Sequence, residues 1–196
     1  MFKPHIERER GFSMIEMVVS VGILVVITSI VLVNHNLFGG NILVSNLAYD
    51  VGLSVRQAQV FGLSVREFGV GTGQFDIGYG IHFDSDDFTT YRLFADINRN
   101  KIFDIGDGTE EVFAIKRGFS IKQVCATNSA SVELCTGDGI NTLDVVFLRP
   151  DPDAYIRVDG DPVGLYGRAR IIVQSPQGSE REVTVESTGQ ISIPQN

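Results

Sequence analysis

Residues 17–49 include no side chain that carries a full charge at neutral pH, and residues 18–33 are apolar apart from Ser20, Gly22, Thr28 and Ser29. Roughly 20 such residues cross a bilayer as a helix, so this stretch is expected to lie in a membrane. The ten residues ahead of it are polar and mixed in charge, with Lys3, Arg8 and Arg10 on the near side of the apolar run. That is the positive-inside arrangement, and it predicts a cytoplasmic N-terminus. An ordinary secretory signal has a shorter apolar core followed by small residues, and no A-x-A-like site follows Val33. Glu16 breaks the pattern: it is a lone carboxylate at the head of the run, where burial in hydrocarbon costs on the order of a few kcal/mol without a partner.

The residues Arg10, Gly11, Phe12, Ser13, Met14, Ile15, Glu16 and Met17 resemble the class III signal of type IV prepilins and type II secretion pseudopilins. The resemblance implies that a prepilin peptidase cuts after Gly11, that the new N-terminal Phe12 is N-methylated, and that Glu16 sets register during assembly. A buried Glu16 carboxylate is best satisfied by a cation on a neighbouring subunit. The alternative is an uncleaved signal anchor with Glu16 at the membrane interface.

Beyond the apolar run, Asn34, Asn36, Gly39, Gly40 and Asn41 have poor helix propensity and predict a local weakening or bend. Periodicity then resumes, with Leu43, Leu47, Val51, Val55, Ala58, Phe61 and Val65 forming one apolar stripe. Asp50, Arg56, Gln57, Gln59 and Arg66 occupy the other face, and Gly69, Gly71 and Gly73 end the helix. The expected helix runs over about 12–66, either continuous or as one membrane helix and one domain helix. After Gly73, β-type runs occur at 79–83, 90–95, 112–115, 120–125, 143–148, 154–158, 169–173, 182–186 and 190–193. The expected class is α+β: a long N-terminal helix packed on a C-terminal antiparallel domain, two small sheets beside the helix's second half. The expected division is a leader at 1–11, a transmembrane or filament-core half-helix at 12–40, an amphipathic half-helix at 41–69 and a β-rich domain at 70–196.

The soluble part also resembles the GspH/FimT-like minor subunits of those machines, through Tyr91, Arg92, Leu93, Phe94, Ala95, Asp96, Ile97, Asn98, Arg99 and Asn100, with Asp104 and Glu110 following. A second patch is Glu182, Val183, Thr184 and Val185, then Gly189, Gln190, Ile191, Ser192 and Ile193. The chain departs from the subgroup in the loop between Cys125 and Cys135 and in the acidic segment around 151–161. Together the resemblances imply the pilin fold and a minor pseudopilin or minor pilin of a type II secretion pseudopilus or type IV pilus. Its partners would be prepilin peptidase, other pilin or pseudopilin subunits, an inner-membrane assembly platform and membrane lipid. They also imply a single-pass inner-membrane location with the β domain extracytoplasmic, and inclusion in a filament after assembly. A different class is a membrane-anchored extracytoplasmic binding module that joins no filament.

Cys125 and Cys135 have no nearby histidine, which excludes a four-ligand zinc site of thiolates and imidazoles. A short-range disulfide follows in an oxidising compartment, and two free buried thiols in a cytoplasmic one. Asp96, Asn98, Asn100, Asp104 and Asp107 place side-chain oxygens at positions one, three, five, nine and twelve of a loop that resembles a calcium loop. Position six is Lys101 where glycine is expected, and the last position lacks the longer glutamate. The alternative is an Asx-rich turn bonding its own backbone. Asp84, Asp86 and Asp87, and Asp151, Asp153, Asp159 and Asp161, are expected to solvate loops.

No catalytic seat is expected. His5, His35 and His82 are scattered, Ser120 and Ser175 lack a nucleophile-elbow context, and no glycine-rich phosphate loop is present. The net charge is −8, and loss of the leader, with Lys3, Arg8 and Arg10 against Glu7 and Glu9, takes it to −9. Nucleic acid is therefore an unfavoured partner, and Arg168, Arg170 and Arg181 are expected to be separate exposed strand residues.

Overall fold

A computed structural model describes residues 11–69 and 73–194, with the backbone alone at 33–39. The leader residues 1–10, with His5, and Gly71 lie outside the described residues. Among the described residues, one helix, α1 (Met14–Leu63), is followed by ten strands. The chain divides into two compact units, Met1–Gly39 and Gly40–Asn196.

In the first unit, Met14–Leu32 is long and apolar enough to cross a membrane, with a mean hydropathy of 2.6 and no part buried. At 1.5 Å per residue it covers roughly 28 Å, about the thickness of a bilayer core. Its three hydroxyls turn back on the helix: Ser20 Oγ donates to the Glu16 carbonyl, Thr28 Oγ1 to that of Leu24 and Ser29 Oγ to that of Val25, at 2.7–2.8 Å. No polar hydrogen of those side chains is left facing outward, which is what hydrocarbon demands. Residues 34–41, where a weakening or bend was expected, are assigned to the helix Met14–Leu63. Isolated asparagines and glycines cost only about 1 kcal/mol each in a helix interior, too little to break it alone. At the far end α1 stops at Leu63, three residues before the expected Arg66, and Val65 is exposed.

In the second unit, strands β1 (Gly78–Asp84), β2 (Thr90–Asp96), β3 (Gly108–Ala114), β6 (Thr142–Phe147) and β7 (Ala154–Val158) form an antiparallel sheet in the order β3-β2-β1-β6-β7. Strands β4 (Ser120–Asn128), β5 (Glu133–Cys135), β8 (Tyr166–Gln174), β9 (Glu180–Glu186) and β10 (Ile191–Ser192) form another, in the order β10-β9-β8-β4-β5. The expected α+β class with two antiparallel sheets is what the chain adopts. Strand β5 was not expected, because three residues are too few to show alternation; it exists through register with β4, pairing Cys135 with Cys125 and Glu133 with Thr127.

The part of α1 from Gly40 onward buries Val44, Ala48, Val51, Val55 and Ala58 against both sheets. The expected stripe is right at Val51, Val55 and Ala58 and off at its ends: Leu47 and Phe61 are only partly buried and Leu43 is exposed. The buried face instead follows the small residues, because they let the helix backbone approach the sheets. A Cβ on Gly62 would stand 2.3 Å from the Phe147 carbonyl oxygen, and one on Gly52 3.0 Å from Ile193 Cδ1. Gly62→Ala should therefore destabilise the domain by roughly 1–3 kcal/mol, the cost of overpacking, although alanine is the better helix former. Urea unfolding checks this, and a stabilised variant would contradict the close approach.

Candidate functional site

Gly11 and Phe12 precede α1 in non-helical, exposed backbone. Ser13 caps the helix: its Oγ accepts the Glu16 N–H at 3.2 Å and its carbonyl accepts the Met17 N–H at 3.2 Å. Ser13 and Glu16 thus stand at the N-cap and third positions of a capping box, a Ser-x-x-Glu signal that sequence reasoning passed over. The reciprocal half is not made. Among the described residues the exposed Glu16 carboxylate has no hydrogen bond or ion pair.

Cys125 and Cys135 are joined as a disulfide, their Cα atoms 4.0 Å apart on paired strands. Closing an eleven-residue loop of this kind contributes about 3 kcal/mol through the unfolded chain. With Glu133 they are the one group among the described residues whose His, Cys, Asp or Glu ligand atoms converge within 4.8 Å. Both sulfurs are spent on each other, so the group offers a metal no thiolate.

In the segment 96–107, the candidate calcium oxygens are engaged with the loop itself. Asp96 accepts the N–H groups of Asn100 and Lys101 at 3.1 and 3.0 Å. Asn98 and Asn100 both donate their side-chain amides to Asp104 Oδ2 at 2.7 Å. Asp107 accepts the N–H groups of Ile97 and Asp104 at 3.0 Å. Arg99 and Lys101 take positive φ, 61° and 66°, so the chain doubles back where glycine would be the easier residue.

The structure gives this segment a task that spacing alone did not reveal: it closes the face of the first sheet turned away from α1. Side chains alternate across a strand, so His82, Phe94, Asp144 and Arg157 share that face while Ile81, Leu93 and Val145 enter the main core. Phe103 covers them, its ring centroid 4.5 Å from that of His82 and 5.2 Å from that of Phe94. Lys101 Nζ lies 3.7 Å above the Tyr155 ring. Gly80 leaves room for the rings, since a Cβ there would fall 2.9 Å from Phe94. Beneath Phe103, His82 Nδ1 and Asp144 Oδ1 are 2.7 Å apart, and Asp144 Oδ2 accepts the Phe103 N–H at 3.2 Å. His82 is 6% exposed, Asp144 1% and Arg157 5%. Burial pushes the Asp144 carboxyl up, and the His82 bond opposes it. Arg157 Nη1 donates to the carbonyls of Ile156 and Gly164, while its Nε has no partner among the described residues. Through their bonds His82 and Asp144 tie the loop to the sheet from beneath.

In the other acidic clusters, Asp84, Asp87 and Asp161 bond backbone or hydroxyl groups of their own turns, and Asp159 reaches across to the start of β6. Asp87 accepts from Thr89 and Thr90, whose bonds hold its carboxyl down at about 2. Asp84 accepts the Asp86 N–H, Asp159 those of Asn141 and Thr142, and Asp161 that of Val163. On the outer face of the second sheet, Lys122 pairs with Glu180, Arg168 with Glu186, and Arg170 with Glu133 and Glu182. Arg181 donates to Ser45 Oγ. No family model, no curated protein and no solved structure matches the chain.

Burial pushes the Asp96 carboxyl up to about 6, against the opposing N–H bonds. A carboxyl raised in this way holds its proton more tightly folded than unfolded. Its contribution to stability is thus complete below about pH 4 and is lost as pH rises through about 6. Urea midpoints taken from about pH 4 to 7 should fall less steeply in Asp96→Asn than in the natural chain. Parallel slopes would show that Asp96 ionises as freely as in the unfolded state.

Proposed function

We propose that the chain is a precursor subunit of a type IV pilin-like filament, a minor pseudopilin or minor pilin. On this reading it is cut after Gly11 and N-methylated on Phe12 by prepilin peptidase, then held in the inner membrane by Met14–Leu32 with the β domain outside. The observation that carries the reading is the coincidence at one helix start. Gly11 and Phe12 are exposed and non-helical, as a peptidase requires, and four residues on stands an unpaired carboxylate at the head of a wholly exposed apolar helix. Cleavage would create a cationic amine on Phe12, and the Glu16 carboxylate is the group that such an amine on a neighbouring copy would meet. The α+β architecture of a helix on antiparallel sheets agrees with the pilin fold.

Function here is burial and pairing, with no chemistry assigned to the domain. The paired arginines of the second sheet leave little free positive charge there for a phosphate backbone. The capping geometry favours a second reading, a membrane-anchored binding module in which Glu16 serves only the helix start.

Intact-mass spectrometry of the protein from its native membrane separates the two. Loss of residues 1–11 with one methyl on Phe12 is expected, and an intact leader in cells with active prepilin peptidase would sink the filament reading. Glu16→Gln, which keeps size and removes charge, should leave processing intact and reduce recovery in sheared filaments at least tenfold. Calcium enters this reading only as a rival to the bonds that Asn98 and Asn100 make with Asp104. Millimolar calcium should leave the melting temperature within about 1 °C, and a rise of several degrees would establish an ion in the loop.

A further inference from the structure

Among the described residues the two sheets end in β3 and β7, and in β5 and β10, and three of these edges are blunted. β5 has three residues and β10 two, too few to template another strand. β7 is occupied on its outer side, where the Ala154 N–H donates to the Ser187 carbonyl at 2.8 Å and the Arg157 guanidinium donates to the Gly164 carbonyl. β3 differs: it is seven residues long, pairs with β2 alone and contains neither proline nor lysine. The Ile115 N–H donates to the Thr89 carbonyl at 2.8 Å, which fixes the parity of the strand. Pairing alternates along an antiparallel strand, so Glu111, Phe113 and Ile115 turn their backbone groups toward β2, whereas Val112 and Ala114 present theirs to the open edge. Both are exposed, and no backbone hydrogen bond reaches those outward groups among the described residues.

The two ends of this edge carry opposite charge. Glu110 and Glu111 lie toward its start, and Lys116 and Arg117 stand just past its end. Glu110 is engaged with Arg66 at 2.8 Å, but Glu111, Lys116 and Arg117 are exposed and make no ion pair among the described residues. Arg117 occupies positive φ, 63°, followed by Gly118 at 75°, in a turn closed by the Phe119 N–H on the Lys116 carbonyl at 3.3 Å, so both cations stay beside the strand end. Laid antiparallel on itself about a two-fold axis, the segment meets its own complement, because each Glu111 comes beside the basic end of the other copy. Parallel pairing would instead bring like charges together. Backbone parity admits only registers in which even-numbered residues of the two copies face each other. The one that sets Val112 opposite Ala114 satisfies every outward group of both residues on both copies. It places Phe113 opposite Phe113 at the axis and Glu111 opposite Ile115, one diagonal step from Arg117.

We propose that β3 is a self-association edge: a second copy of this chain adds its own β3 antiparallel, Val112 opposite Ala114, and the two first sheets join into one of ten strands. A contact of this kind uses the same edge once on each copy and therefore closes at a dimer. Main-chain bonds and the facing Phe113 rings supply affinity, while the acidic and basic ends supply direction.

Sedimentation equilibrium of the full chain in detergent micelles, at micromolar concentrations, tests this, and a reversible equilibrium between monomer and dimer is expected. Glu111→Lys, and separately Lys116→Glu with Arg117→Glu, change only exposed positions, and each should weaken the dimer about tenfold. Mixing the two variants should restore the natural affinity, since every charged contact between the unlike copies is then complementary again. The apolar helix is the same in all of them, so association through it would leave natural chain, variants and mixture alike. Under mild oxidation, Val112→Cys chains mixed with Ala114→Cys chains should cross-link to each other far more than either does to itself, the two positions being opposite in a hydrogen-bonded pair. A monomeric natural chain, equal association in all variants, no recovery in the mixture, or self-linking of either cysteine variant that matches the mixture would overturn the proposal.

Discussion

The apolar helix of the first unit is the constraint on which the rest of this molecule depends. More than a dozen large apolar side chains of Met14–Leu32 are exposed. Leaving that many aliphatic groups in water costs on the order of tens of kcal/mol, more than the roughly 5–15 kcal/mol that holds a domain folded. Cover by lipid or by other protein would remove that cost. The segment is prepared for either, because its hydroxyls are bonded to carbonyls four residues back and its backbone bonds are internal to the helix.

The character of α1 changes at Gly40, and small residues carry the change. Ahead of it Val, Ile and Leu point in all directions; after it Ala48, Gly52, Ala58 and Gly62 line the face against the sheets. Close approach replaces bulk as the means of burial. It also explains why exposed Leu53 and Val60 remain on the opposite face, where a purely amphipathic design would have placed charge. Those positions extend the apolar surface of the helix into the part that belongs to the domain.

Periodicity and turn chemistry were enough to read the α+β class, eight of the strands to within a few residues of either end and the pairing of Cys125 with Cys135, because those are local signals. β3 was read four residues short, since Gly108, Glu110 and Glu111 have poor strand propensity; Gly108 and Glu111 are held by pairing with β2 on either side of a bulge in which Glu110 has no register partner. The loop 96–107 was legible as an oxygen-rich turn but not as a cover. Its partners His82, Asp144 and Tyr155 are brought under it only by the register of β1, β6 and β7. Nothing local marks His82 and Asp144 as neighbours, sixty-two residues apart. The stripe on α1 was displaced because hydrophobicity ranks Leu43 and Val65 above Gly52 and Gly62, whereas close packing ranks them the other way.

Glu16 is where the two functional readings meet, and magnitudes separate them. A carboxylate in the first turn of a helix gains about 0.3–1 kcal/mol from the aligned peptide dipoles. Burying the same charge at membrane depth costs a few kcal/mol even by the lenient insertion scales. Capping alone therefore holds Glu16 only while its carboxylate reaches water or headgroups. Were this helix drawn into a bundle of like helices, as the filament proposal holds, the dipole contribution would no longer cover the desolvation, and a cation would have to be supplied from outside the chain. The amine that cleavage after Gly11 would create on Phe12 has the right charge, and it lies four residues ahead of Glu16, so an axial offset between neighbouring copies would bring one copy's amine to the other's carboxylate.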